Sequence, residues 1–174
     1  GGTCNVAIGH AAGTAITTGD DNTAIGACAL DANTTAGCNT AVGSFSLSTN
    51  TTGACNTAVG HKTLQANTEG DLNTAIGYFS LYANTTASDT TGRGALFANT
   101  TGANNTAVGG DSLSANTEGS SNVAVGYYAG LQNTTGNCNV SLGVAANQNT
   151  STGSNNTAIG HIALLSNTTG DSNT

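Results

Sequence analysis

Charged residues are scarce in this sequence, since Asp, Glu, Lys and Arg together make up only 6% of its 174 residues. Globular proteins usually carry about a quarter. Lys62 and Arg93 are the only two cations, and the formal net charge is −7. A nucleic-acid-binding surface needs clustered cations to neutralise phosphates, so we expect no nucleic-acid partner.

Proline, methionine and tryptophan are absent, and so is any long hydrophobic run. A disordered segment usually combines few apolar residues with many charged residues and proline, whereas this sequence has little charge and no proline. No stretch approaches the roughly 18 apolar residues that cross a bilayer, so we expect no membrane insertion. No charged-then-apolar leader opens the chain, and we expect a processed chain or a part of a longer one.

What the sequence does have is a repeat. The motif Asn-Thr-Ala-(Ile/Val)-Gly returns, with small variations, every 17 residues, except for one interval of 32 between Asn73 and Asn105. That interval holds two copies with two residues missing, which places a degenerate copy near residues 88–104. A period this strict is typical of a solenoid, because an insertion would displace one coil from its neighbours.

We number each copy 1 to 17 from its Asn and predict an all-β fold, a β-solenoid (β-roll) of about ten coils forming one domain over residues 1–174. Each coil is expected to hold a strand at positions 1–4, a glycine turn, a second strand at positions 7–11 and an Asn-Thr-Thr-Gly return turn. Identical residues then stack in ladders about 4.8 Å apart. Asn at positions 1 and 12 is expected to hydrogen-bond along the rod.

Both faces of the first strand are apolar, because position 3 is mostly Ala and position 4 mostly Ile or Val. Successive strand residues point to opposite faces, so one row fills the interior and the other is available to a second chain. The alternative is that the Ala row is merely small and half-exposed. We predict position 4 as the core ladder, formed by Ile8, Ile25, Val42, Val59, Ile76, Val108, Val125, Leu142 and Ile159.

The expected partner is the chain itself. Both ends are incomplete copies without polar caps, and an uncapped solenoid end can pair with another. Together with the apolar strand faces, this predicts a homotrimer or an end-to-end filament.

Four of the five cysteines share position 17, and two of them, Cys38 and Cys55, fall in consecutive coils. Stacking would place their Cα atoms about 5 Å apart, within reach of a disulfide. We therefore predict a disulfide between Cys38 and Cys55, which fits an extracellular setting.

No arrangement of residues suggests catalysis. His10, His61 and His161 share position 6 but lie in distant coils, so solvated side chains are expected. The alternative is that one His from each of three chains forms a ring around a three-fold axis and binds a metal. The cysteine spacings are not those of a zinc site, and no paired-acid or Ser/His/Asp set emerges. We predict no enzyme activity, metal or cofactor.

Aromatics at positions 6 and 7, such as Tyr78 and Tyr127, are expected either to stack on sugars or to contact another rod.

The string Asn56-Thr57-Ala58-Val59-Gly60, followed by Leu64 and by Asn67-Thr68-Glu69-Gly70, resembles repeats of two related families. These are the heads of trimeric autotransporter adhesins and, over the entire chain, the tail-fibre-like proteins of bacteriophages and bacteria. The resemblance implies a trimer of parallel β-rolls that attaches to surfaces or hosts. The repeat here is longer than in the adhesin heads, and a stalk, an anchor and a chaperone-like terminal domain are missing from this sequence.

The expected function is therefore that of a structural or adhesive fibre segment, outside the cell, on the cell surface or on a virion. Surface glycans or a host receptor are possible partners. The alternative is an ice-binding solenoid, because the chain is rich in Thr and weakly charged, although each first strand offers one Thr where ice-binding strands typically carry two.

Overall fold

The chain folds into a parallel β-solenoid of about ten turns, in a computed structural model that describes residues 2–174. Each turn contributes one three-residue strand at positions 2–4, and the strands follow one another in chain order in a single sheet. The strands are β1 Val6–Ile8, β2 Thr23–Ile25, β3 Thr40–Val42, β4 Thr57–Val59, β5 Thr74–Ile76, β6 Thr91–Arg93, β7 Thr106–Val108, β8 Val123–Val125, β9 Val140–Leu142 and β10 Thr157–Ile159. The predicted fold is confirmed.

Equivalent residues of successive copies lie opposite one another in the sheet. Ile25 pairs with Ile8 on one side and with Val42 on the other. The degenerate copy keeps this register, because Arg93 pairs with Ile76 and Val108. The sheet is therefore continuous through the copy that lacks two residues.

The predicted second strand at positions 7–11 is wrong, because that segment is a series of turns. Positions 7 and 9 adopt left-handed backbone, with φ of 57° at Phe45 and 50° at Leu47. The left-handed region costs most L-residues about 1–2 kcal/mol and interrupts an extended strand. It turns these N–H groups toward neighbouring coils: Phe45 donates to the Ala27 carbonyl and Leu47 to the Thr63 carbonyl.

The interior is narrow and partly polar. Ala at position 3 and Leu at position 9 supply its apolar side, with Ala58 and Leu64 fully buried. Asn at positions 1 and 12 supplies its polar side, with Asn56 and Asn67 equally buried. Burying a primary amide is costly unless its donors and acceptor are satisfied, so the stack depends on where these side chains bond.

The two predicted Asn ladders are present. At position 1, the Asn56 N–H donates to Oδ1 of Asn39 at 2.9 Å, and Asn56 Nδ2 donates to the Gly70 carbonyl at 2.8 Å. At position 12, Asn67 Nδ2 donates to Oδ1 of Asn50 at 2.8 Å and to the same carbonyl at 3.0 Å. Gln65 Oε1 is the one buried side-chain polar atom in residues 2–174 without a partner.

Glycine at position 5 is required by the close approach of the coils. Gly60 has φ of +140°, and a Cβ placed on it would lie 2.7 Å from the carbonyl oxygen of Gly77 in the next coil. No side chain fits at that distance from backbone. Apolar helices of membrane-spanning length do not occur in the part of the chain that the structure describes.

Candidate functional site

The predicted core ladder at position 4 forms one continuous row, but the row lies outside the core. Ile8 is 60% exposed and Ile159 68%, and the inner members of the row are half-buried or exposed rather than enclosed. The prediction of a core position is therefore wrong for Ile8, Ile25, Val42, Val59, Ile76, Val108, Val125, Leu142 and Ile159. The buried row of the strand is position 3, which is Ala in most copies.

The size of the interior explains why the smaller residue faces inward. Gly92 holds position 3 in the degenerate copy, and a Cβ added there would lie 3.0 Å from Ser80 Oγ and 3.2 Å from Leu81 Cγ. The space beside the buried Leu residues of position 9 therefore accommodates the single methyl group of an Ala at position 3, and a branched side chain would overpack it. Ile and Val therefore occupy the outward face of the sheet, beside the half-buried Thr of position 2.

All five cysteines are free thiols, so the disulfide predicted between Cys38 and Cys55 is not formed in this structure. The two residues do stack in consecutive coils and share a left-handed backbone, with φ of 60° and 58°. The Cys55 thiol raises the pKa of Cys38, chiefly through charge repulsion, with smaller contributions from partial desolvation and a hydrogen bond between the two groups. Cys4 and Cys138 lie in other coils, and Cys28 lies at position 7 of the coil that ends at Cys38.

The other titratable residues are dispersed over the surface. His10, His61 and His161 are exposed at position 6 of separate coils. Hydrogen bonds from the backbone and hydroxyl of Thr3 lower the pKa of Asp20. Within residues 2–174, no three His, Cys, Asp or Glu side chains lie close enough to hold a metal ion.

The degenerate sixth coil opens a notch in the surface, between the fifth and seventh coils. It lacks positions 6 and 7, so Gly94 is followed directly by Ala95 of position 8. A Cβ on Gly94 would meet no atom within 4 Å, whereas the equivalent atom on Gly60 would collide with the next coil. The stack is therefore open above Gly94.

The missing residues also leave a backbone acceptor without a donor. In the regular coils the position-6 carbonyl accepts the N–H of position 7 in the next coil, as His61 accepts from Phe79 at 3.2 Å. The sixth coil has no position 7, and among residues 2–174 no donor reaches the Tyr78 carbonyl. The backbone N–H of Asp111 donates instead to the carbonyl of Gly94, at 3.1 Å.

Aromatic side chains gather on one side of the notch. Tyr78 and Phe79 pack edge to face with 4.3 Å between ring centroids, and Tyr82 stacks on Phe97 at 5.4 Å. Phe79 contacts both members of the second pair, at 4.9 and 6.0 Å. Tyr78 is nevertheless 71% exposed and Phe97 46%. We call these four residues the aromatic wall.

Both cations of the chain flank the same notch. Lys62 places Nζ 5.4 Å from the ring centroid of Phe79. Arg93 is exposed in the outward row of the sheet, at the one copy where that row lacks an apolar residue. It lines a hollow of about 440 Å³ that adjoins, at Gly94, a second hollow of about 340 Å³ under the aromatic wall.

The notch was not predicted from the sequence. The interval of 32 residues was the available signal, since two missing residues in a strict stack must leave a gap. Tyr82 and Phe97 were also overlooked, although both occupy position 10 of adjoining coils.

Comparisons of the chain with protein-family models, with curated proteins and with solved structures found no match.

Proposed function

We propose that this chain is a structural and adhesive segment of an extracellular fibre, in which rods associate side by side through the outward face of the sheet. The observation that carries the proposal is the row at position 4. It is apolar in nine of ten strands, in register, and partly exposed along the whole rod. A contiguous exposed apolar surface usually marks an interaction site.

A second copy of the same chain is the partner that fits this row. Ten strands spaced about 4.8 Å apart give a strip about 43 Å long. A partner contacts every member of such a row only if its own surface has the same spacing, and another copy meets that condition. The assembly proposed is the homotrimer implied by the resemblance to tail-fibre-like proteins, with the three outward faces turned toward a common axis.

The charge distribution supports the same arrangement. The apolar row contains one charged residue, Arg93, whereas position 14 on a different part of the coil is exposed and includes Glu69 and Glu118. The row thus lacks the acidic residues that give the chain its net charge of −7 and that would keep rods apart.

The test is sedimentation velocity on the intact chain and on two matched variants. Ile8→Glu, Val42→Glu and Ile159→Glu together place three charges on the row. Thr18→Glu, Thr52→Glu and Thr169→Glu place the same charges at exposed position 14. We expect a trimer of about 50 kDa, three times the 16.8 kDa chain, for the intact protein and the second variant. The first variant should sediment as a monomer. A monomeric intact chain would refute the proposal.

An ice-binding surface is the second candidate. It is favoured by one observation, namely that the same outward face carries half-buried Thr at position 2 beside the branched row, for example in Thr40, Thr57 and Thr74. Such a regular array of hydroxyl and methyl groups at a fixed spacing suits an ordered water layer. Thermal hysteresis of the purified chain distinguishes the two functions, since a fibre segment should produce none.

A further inference from the structure

We propose that the notch at the sixth coil is a binding site for an acidic saccharide, whose ring packs under the aromatic wall while its carboxylate pairs with Arg93. The proposal names a ligand for the adhesive function, yet it does not depend on self-association. The aromatic wall lies past the turn at position 5, whereas the hollow at Arg93 is lined by three residues of the outward row of the sheet, namely Ile76, Arg93 and Val108.

The first argument is that the opening is specific to this coil. In coils one to four and seven to nine, a Cβ on the position-5 glycine would lie within 2.8 Å of the next coil, while the coil that lacks positions 6 and 7 exposes the floor at Gly94. Two hollows of about 340 and 440 Å³ meet there, and each falls within the usual range of small-ligand sites, about 300–1,000 Å³.

The second argument is the chemistry of the aromatic wall. Tyr78 and Phe97 keep much of their ring area in solvent although they belong to a packed cluster. A sugar ring has an apolar face of C–H groups, which packs on an aromatic face, and a rim of hydroxyls. Asp111 and Ser114 line the same hollow and can bond to such hydroxyls. The unpaired carbonyl of Tyr78 adds a further acceptor.

The third argument is charge. In a chain with net charge −7, one of the two cations, Arg93, lines the notch, and the other, Lys62, lies against the ring of Phe79 in the aromatic wall. The Arg93 guanidinium can bind a carboxylate with two parallel hydrogen bonds. Asp111 lines the hollow under the aromatic wall, whereas Arg93 lines the other hollow, and the two hollows share Gly94. A ligand that spans Gly94 can therefore place its carboxylate near Arg93 and its hydroxyls near Asp111.

The probe for this site is tetragalacturonate, with neutral cellotetraose as its uncharged counterpart, observed by saturation-transfer NMR and titration calorimetry. We expect the acidic probe to bind and Arg93→Gln to weaken it about tenfold, the effect of losing a charged hydrogen-bonded pair. Binding should also weaken as ionic strength rises. Equal binding of cellotetraose, or no binding of either probe, would overturn the proposal.

Two further variants test the notch itself. Tyr78→Ala should abolish the transfer signal, whereas Tyr127→Ala, at the same position of the eighth coil, should leave it unchanged. Inserting Ser-Ala between Gly94 and Ala95 restores a 17-residue coil and keeps every aromatic and cationic side chain. We expect this insertion to abolish binding, and retained binding would show that the notch is not the site.

Running the titrations on the intact chain and on the Ile8→Glu, Val42→Glu, Ile159→Glu variant separates this proposal from the fibre. Binding by a variant that no longer associates supports the site alone. Because Ile76, Arg93 and Val108 belong both to the associating face and to the lining of the site, association can cover it, so the absence of binding by the variant that no longer associates rejects the site. If Tyr78→Ala changes the sedimentation of the chain rather than its saccharide binding, the notch is a contact between copies and the saccharide proposal is wrong.

Discussion

Replacing one residue of the buried Asn ladder should destabilise the rod far more than replacing an exposed Asn. Asn67 at position 12 is fully buried, and its side chain takes part in three hydrogen bonds. Its Nδ2 donates to Asn50 Oδ1 and to the Gly70 carbonyl, and its Oδ1 accepts from Nδ2 of Asn84. Asn67→Ala removes all three.

The expected loss of unfolding free energy follows from the hydrogen bonds that each partner of the Asn67 side chain retains. The Gly70 carbonyl keeps a donor in Asn56, at 2.8 Å, and Asn84 Nδ2 keeps the Ala87 carbonyl, at 3.2 Å. Asn50 Oδ1 keeps none, and an unsatisfied buried acceptor costs about 1–3 kcal/mol. With the two other bonds at about 1 kcal/mol each, we expect a loss of about 3–5 kcal/mol. In a chain of this size that lowers Tm by roughly 10 °C.

The assay is thermal unfolding followed by circular dichroism, with amide hydrogen exchange to locate the weakened coils. Asn137→Ala is the matched control, because Asn137 is exposed and its bonds to the Ser120 N–H and the Thr135 carbonyl can be replaced by water. It should cost at most about 1 kcal/mol. If Asn67→Ala melts within about 2 °C of this control, the conclusion that the buried ladder stabilises the stack is wrong.

Three further outcomes are expected. Gly60→Ala should prevent tight stacking and lower Tm by several degrees more than Gly94→Ala. The reason is that an added Cβ collides with backbone at Gly60 and meets no atom at Gly94. Equal losses of Tm would contradict an open notch. Leu72→Asn should raise stability by about 1 kcal/mol, measured by thermal unfolding, since Leu72 is 56% exposed and has left-handed φ of 58°. Cys55→Ser should lower the raised pKa of Cys38 toward its ordinary value. Alkylation of Cys38 at pH 8, followed by mass spectrometry, should then be faster, because the thiolate is the reactive form. An unchanged alkylation rate would show that Cys55 does not repel the Cys38 thiolate.

The sequence by itself determined the repeat and its consequences along the axis. A 17-residue period sets which residues stack, and the register of Ile25 with Ile8 and Val42 follows from it directly. The Asn ladders follow for the same reason, because a side chain with both a donor and an acceptor can bond to its own copy one coil away.

The tertiary structure decided what the period leaves open, namely the direction of each side chain and the fit between coils. Alternation along a strand puts Ala58 and Val59 on opposite faces but does not say which faces inward. The narrow space beside the Leu column decided in favour of Ala, so the branched row became a surface. The notch arises in the same way, since the gap above Gly94 and the approach of Tyr78 to Phe97 exist only when unequal coils are stacked.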